Sequence, residues 1–252
     1  MVVGLDKFRE HFVDHADHYA VIGGTACSMI FEEVGIGFRQ TDDIDMVLCV
    51  EVVDPSFTQS LKAFLDGGGY QARERSNGRR EFYRFHKPTD PSYPAMLELF
   101  ARKPEALEIP EDAGLTVVEV SDEALSLSAI LLDTDYYEAL LASRRTIGDI
   151  LVLDERLLIP FKARAFVDLS QRKDDGDANA KGSDIKKHRN DVFRLLQLLP
   201  TDQPIEVTEP LKTDLRACLA RVKELPEFDP NSFGVPIDRE TGIDMIARLY
   251  QL

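Results

Sequence analysis

Residues 19–48 read YAVIGGTACSMIFEEVGIGFRQTDDIDMVL, and their pattern decides the fold. The run HYAVIGG is apolar and ends in a glycine pair, which predicts a strand entering a tight turn. Thr25 to Val34 predicts a helix with Thr25 as its cap. Ile44 to Val50 predicts a second strand, with Asp43 and Asp45 on either side of Ile44 at its start. Side chains alternate along a strand, so the two carboxylates share one face while Ile44 and Met46 take the other. Strand geometry puts their Cα atoms ~6.6 Å apart. Carboxylates at that spacing can hold divalent cations. Gly23 and Gly24 let a phosphate approach the free amides of a helix start, and the Thr25 hydroxyl adds a donor.

Outward from this stretch, Leu5, Phe8, Phe12 and Ala16 recur at helical spacing. Pro55 to Leu65 predicts a helix that Gly67, Gly68 and Gly69 end. REFYRFHK, Arg80 to Lys87, alternates charged and aromatic residues and predicts a half-exposed strand. Ser76-Asn77-Gly78 before it is a hairpin-turn signal. Met96 to Ala101 and Leu115 to Val120 predict further strands. Strands and helices are mixed rather than strictly alternating, so the expected class is α+β, a sheet of mixed direction with flanking helices.

Beyond about Asp133 the character becomes mainly helical. Helices are expected over Tyr136 to Arg145, Glu155 to Ser170 with Pro160 inside, Ile185 to Leu199, Leu211 to Leu225 and Thr241 to Leu252. The polar run from Arg172 to Asp184 predicts a mobile loop. We expect a sheet domain over residues 1–133 and a mainly helical domain over 134–252 that completes a cleft.

The 252 residues are 44% hydrophobic and 30% charged, an ordinary globular composition. The net charge of −15 argues against a generic nucleic-acid binder, because phosphate contacts dominate that affinity. No apolar run approaches the ~18 residues of a membrane helix, and the N-terminus lacks a signal-peptide layout. A cytoplasmic protein with no membrane partner is expected. Cys27, Cys49 and Cys218 are scattered and form no CxxC pair, so neither a disulfide framework nor a zinc site is expected; Cys27 and Cys49 sit in apolar surroundings and are expected to be small buried hydrophobes.

Two further groups carry alternatives. His11, His15 and His18 have metal-binding spacing on the first helix but no supporting motif, so an exposed polar face is expected. Arg73, Arg75, Arg79, Arg80 and Arg84 interleave with Tyr70, Phe82, Tyr83 and Phe85. Such an island can stack and neutralise single-stranded nucleic acid, or it can be a solvated hairpin with its aromatics in the core.

The combination of IGGTA with FRQTDDIDMVL resembles the AbiEii/AbiGii-type nucleotidyltransferases of abortive-infection and type IV toxin–antitoxin systems, within the polymerase-beta-like superfamily. The matching positions are Gly23-Gly24, Arg39, Thr41 and Asp43-Ile44-Asp45. Eighteen residues separate Gly24 from Asp43, more than the usual superfamily gap, with the excess in FEEVGIGFRQ. LLIPFKARAF resembles the family's lysine-bearing helix, with Lys162 at the motif position. SDIKKHRNDVFRLL resembles its K-x-x-x-D-x-x-x-L helix, with Lys187, Asp191 and Leu195; Lys187 and Asp191 could equally form an exposed salt bridge.

The resemblance implies a nucleotidyltransferase-like mixed sheet and a Mg²⁺- or Mn²⁺-dependent transferase. Asp43, Asp45 and Glu98 would be its catalytic acids, with Asp43 and Asp45 holding the metal. Gly23, Gly24, Thr25, Arg39, Lys162, Lys187 and Asp191 would contact a nucleoside triphosphate. It also implies an acceptor hydroxyl on tRNA, another RNA or a protein, and a cognate antitoxin. The same residues admit two other classes: a nucleotide-binding or antitoxin-partner module without turnover, and a small-molecule nucleotidyltransferase of the antibiotic-modifying kind.

Overall fold

The computed structural model describes residues 2–49, 55–75, 81–101, 116–117, 130 and 133–252. The chain divides into two compact units. One comprises residues 1–120 and 141–154, the other residues 121–140 and 155–252.

The first unit is built on an eight-stranded mixed sheet, as the α+β expectation requires. Its strands are β1 (Tyr19–Ile22), β2 (Asp43–Leu48), β3 (Ala72–Arg75), β4 (Glu81–His86), β5 (Met96–Ala101), β6 (Thr116–Val117), β7 (Arg144–Ile147) and β8 (Ile150–Leu153). Their spatial order is β6-β3-β4-β5-β2-β1-β8-β7. β2 lies between β1, antiparallel to it, and β5, parallel to it. Side-chain alternation sorts the centre of the sheet. Ile44, Met46, Leu97, Leu99, Tyr83 and Phe85 fall on one face and are buried. Asp43, Asp45, Glu98 and Arg84 fall on the other.

Helix α1 (Leu5–Phe12) is shorter than the expected 5–16, because the chain tightens into a 3-10 helix at Val13–His18 with a kink at His15. Phe8 and Phe12 of α1 meet Tyr19 of β1 and Phe64 of α3 (Pro55–Gly68), with ring centroids 4.8 to 6.0 Å apart. Each of these rings is almost fully buried, which stabilises the fold by about 2 kcal/mol per ring. The histidines belong to this cluster rather than to an exposed polar face. His18 stacks on Phe57 at 5.5 Å, and a His11 ring nitrogen sits 2.7 Å from the Ser60 carbonyl oxygen. α3 runs past the expected Leu65 to Gly68, and Gly69 turns out of it at a φ of 60°.

Strands β7 and β8 were not expected. Residues 144–153 read RRTIGDILVL, and Gly148 and Asp149 form the hairpin corner with φ of 51° and 66°. A Gly-Asp pair between apolar runs is a hairpin signal, so these strands were legible. β8 pairs with β1 in parallel through Val21 and Val152. The first unit therefore takes chain from both sides of residue 133. The expected turn at 76–78 lies outside the described residues, as does most of 115–120, of which Thr116 and Val117 form β6.

The second unit holds α4 (Thr134–Ala142, whose last two residues fall in the first unit), α5 (Glu155–Asp174), α6 (Gly182–Leu196), α7 (Glu209–Lys223) and α8 (Arg239–Leu249). Pro160 sits inside α5 and cannot donate to the Arg156 carbonyl one turn back. The Tyr250 hydroxyl donates to that oxygen instead, at 2.7 Å. The expected loop over 172–184 is shorter than its polarity suggested. α5 continues to Asp174, α6 starts at Gly182, and the Arg172 guanidinium donates twice to Asp177 in the turn between them. Cys27, Cys49 and Cys218 are free and buried. Among the described residues no helix is long and apolar enough to cross a membrane.

Candidate active site

β1 ends at Ile22, and the backbone enters α2 (Gly23–Glu33) with Gly23 at a φ of 69°. A left-handed φ disfavours any residue with a Cβ. Space excludes one as well, since a Cβ on Gly23 would overlap Oδ2 of Asp45 and stand 2.9 Å from its Cγ. The Asp45 carboxylate thus rests directly on the first residue of the helix. Gly24 is covered in the same way. A Cβ there would stand 2.7 Å from the Thr41 hydroxyl and 3.3 Å from the Arg39 guanidinium. The Arg39 guanidinium also lies over the Phe38 ring, 5.2 Å from its centroid. Gly23, Gly24, Arg39, Thr41 and Asp45, spread over more than twenty positions, therefore converge at one point.

The helix starts two residues earlier than expected. Ile22, not Thr25, occupies the cap position, and no side chain caps the helix. Thr25 is fully buried, and its hydroxyl donates to the Asp43 carbonyl oxygen. It ties α2 to β2 instead of offering a donor to a phosphate. Uncapped amides at the helix start remain the anion-attracting feature.

Asp43 and Asp45 are half-buried on the same side of β2, alternating with buried Ile44 and Met46. Glu98 pairs in register with Asp45 across the parallel β2–β5 ladder, and Arg84 pairs with Glu98 from β4. Asp45, Glu98 and Arg84 form a row across three strands. Glu98 is only 7% exposed, and the Arg84 guanidinium reaches its Oε1 through two nitrogens at 2.7 Å each. Burial, then the Asp45 charge, pushes the Glu98 carboxyl well above its usual range; Arg84 pulls it back in part, and a hydrogen bond with Asp45 adds to the rise.

The sequence placed Arg84 in a basic island. Here it is instead committed to a carboxylate, while Tyr83, Phe85 and Tyr70 are core residues. Arg79 and Arg80, and the side chains of Arg73, Arg75 and Phe82, lie outside the described residues. Arg84's role was recoverable only by pairing REFYRFHK against MLELFA in the correct register.

Asp43 and Asp45 could supply hard oxygen ligands to a divalent cation. Magnesium is commonly held by one or two carboxylates, with water and substrate phosphate completing the sphere. Two half-buried carboxylates on one face fit that habit. Among the described residues no group of three or more His, Cys, Asp or Glu side chains is arranged to hold a metal ion.

In the second unit, Lys162 of α5 and Asp191 of α6 meet at 3.5 Å, with side chains 5% and 0% exposed. Arg194 reaches the same carboxylate at 3.1 Å. Asp191 is therefore no partner in an exposed salt bridge; it is the buried end of a link between α5 and α6. Lys187 is half-buried on α6.

Among solved structures, the chain is similar to an antigenic nucleotidyltransferase-like protein from Paracoccidioides brasiliensis, with 18% identity over 89% of this chain and 93% of that one and a TM-score of 0.43. No protein-family model and no curated protein matches. A likeness this distant carries no argument about function, which rests on the residues themselves.

Proposed function

We propose that the chain is a metal-dependent nucleotidyltransferase that moves a nucleoside monophosphate from a nucleoside triphosphate to an acceptor hydroxyl, breaking the α–β phosphoanhydride bond and releasing pyrophosphate. One observation carries the reading: the Asp45 carboxylate rests on Gly23 at the uncapped start of α2, on the strand face it shares with Asp43. Anion-attracting amides and cation-attracting carboxylates thus adjoin, as a magnesium-bound triphosphate requires. When bound, a divalent cation held by Asp43 and Asp45 would neutralise phosphate charge and polarise the reacting phosphorus. Gly23 and Gly24 would hold phosphate oxygens through backbone N–H groups. Arg39, over Gly24, would add positive charge to the same place. Glu98 would accept the proton of the acceptor hydroxyl once Arg84 yields it. By the resemblance given above, the acceptor would be RNA, tRNA or protein, in a toxin–antitoxin or phage-defence setting.

The Arg84–Glu98 pairing favours a second reading, a nucleotide-binding module without turnover, because it occupies the candidate base. A transfer assay separates the two. Purified protein is incubated with each alpha-labelled nucleoside triphosphate, Mg²⁺, and an extract containing RNA and protein. Label should enter an acceptor with the wild type, and Asp43→Ala or Asp45→Ala should lower the rate about a hundredfold or more. Nucleotide binding without transfer, unchanged by both substitutions, would establish the module instead.

A further inference from the structure

A cavity of about 460 Å³ opens in the second unit, between the end of α5, the start of α6 and the end of α7. Its lining runs along α5 from Phe166, one turn beyond Lys162, to Asp174, and includes neither Lys162 nor Asp191. Lys173 is eleven residues beyond Lys162 along α5, ~16 Å at helical rise. The volume falls within the ~300–1,000 Å³ typical of small-molecule sites. Phe166, Ile185 and Leu225 give it an apolar lining.

Four cations, Lys173, Lys186, Arg189 and Arg221, converge on it from three helices of a chain whose net charge is −15. The two arginines are engaged. Arg221 donates to Asp174 and to Gln171, each at 2.9 Å, and Arg189 lies over the Phe228 ring with Glu227 nearby. The lysines differ. Among the described residues neither Lys173 nor Lys186 has a hydrogen-bond or ion-pair partner. Lys173 is nevertheless drawn in over α6: a Cβ on Gly182 would stand 2.9 Å from its Nζ, so glycine leaves room for the ammonium. Two like charges brought to one rim, neither paired with a carboxylate, are a charge arrangement that an anion completes. The remaining acid of the lining, Glu224, is an acceptor for hydroxyl or amino donors.

We propose that this cavity binds a small organic phosphate of nucleotide size. Its phosphate would lie between Lys173 and Lys186, and its apolar body on Phe166, Ile185 and Leu225. The cavity's lining comes from the second unit alone and does not include Asp43 or Asp45, and the site needs no metal.

The test is amide-shift NMR on the isotope-labelled full chain, titrated with adenosine monophosphate in excess EDTA. Saturable shifts are expected in 166–174, 182–189 and 221–227, with a dissociation constant of ~1 mM or tighter. They should persist in the Asp43→Ala/Asp45→Ala double variant. Lys173→Gln/Lys186→Gln should weaken binding about tenfold or more, with unchanged shifts elsewhere showing that the fold survives. Inorganic phosphate should bind about tenfold more weakly than the nucleotide, because it leaves the apolar lining uncovered. The proposal is overturned by the absence of saturable shifts up to ~10 mM, by an unchanged affinity in the lysine variant, or by equal affinity for inorganic phosphate. Failure of nucleotidyl transfer in the labelled assay would leave this site untouched.

Discussion

Gly23 shows how one residue can be fixed by both backbone and space. Its φ of 69° and the Asp45 carboxylate against it each exclude a side chain. Gly23→Ala should cost about 1–2 kcal/mol from the backbone alone, read by chemical denaturation. It should also push the Asp45 carboxylate aside and abolish transfer; an active, fully stable Gly23→Ala protein would contradict the site. Glu98 makes a prediction in pH. Burial and the neighbouring Asp45 raise its folded carboxyl above the unfolded one. The folded protein therefore holds that proton more tightly. Glu98 favours folding below the ordinary Glu range, and the contribution fades as pH rises through the raised value. Glu98→Gln removes the titration, so wild-type stability relative to the variant should fall as pH rises. Urea melts across the acid-to-neutral range read this directly, and the opposite slope would mean that Arg84 outweighs burial. The glycine pair and D-I-D were legible because they are local spacings. The Arg84–Glu98 contact was not, since it depends on the register of two strands.

At the scale of elements, α5 survives an internal proline because Tyr250, ninety positions away, donates to the carbonyl that Pro160 leaves without its helical N–H. Tyr250→Phe should cost about 1–2 kcal/mol in a denaturant melt, the worth of one buried hydrogen bond. The α5–α6 contact rests on a different device. Asp191 is fully buried between Lys162 and Arg194. Asp191→Ala would leave the Lys162 ammonium buried beside no carboxylate and should cost about 3–5 kcal/mol. Adding Lys162→Met should restore part of that loss; no restoration in the double variant would show that the two charges are not coupled. Periodicity located both helices, with ends within four residues of those observed. It could not tell an exposed i, i+4 pair from a buried interhelical one, because a helix face carries no record of what packs on it.

For the whole molecule, the decisive feature is that residues 141–154 return to the first unit. β8 covers the flank of β1 that β2 leaves open, and β7 closes beyond it. A fragment ending at residue 133 would leave β1 as a bare edge beside the candidate site. It should therefore aggregate or melt lower than a fragment ending at 154, as judged by size-exclusion chromatography and thermal unfolding. Equal behaviour would show that the hairpin is dispensable to the sheet.

The sequence by itself determined the alternation that puts Asp43 and Asp45 on one face, the glycine pair that follows β1, the mixed order of strands and helices, and the burial of Cys27 and Cys49. Each is set by steric periods and backbone limits within a few residues. Only the tertiary structure decided that Asp45 lies on Gly23, that Thr25 ties α2 to β2, that Arg84 holds Glu98, and that Lys162 pairs with Asp191. These contacts join residues many positions apart. Their energies depend on register, burial and neighbouring charge, which a linear pattern does not encode.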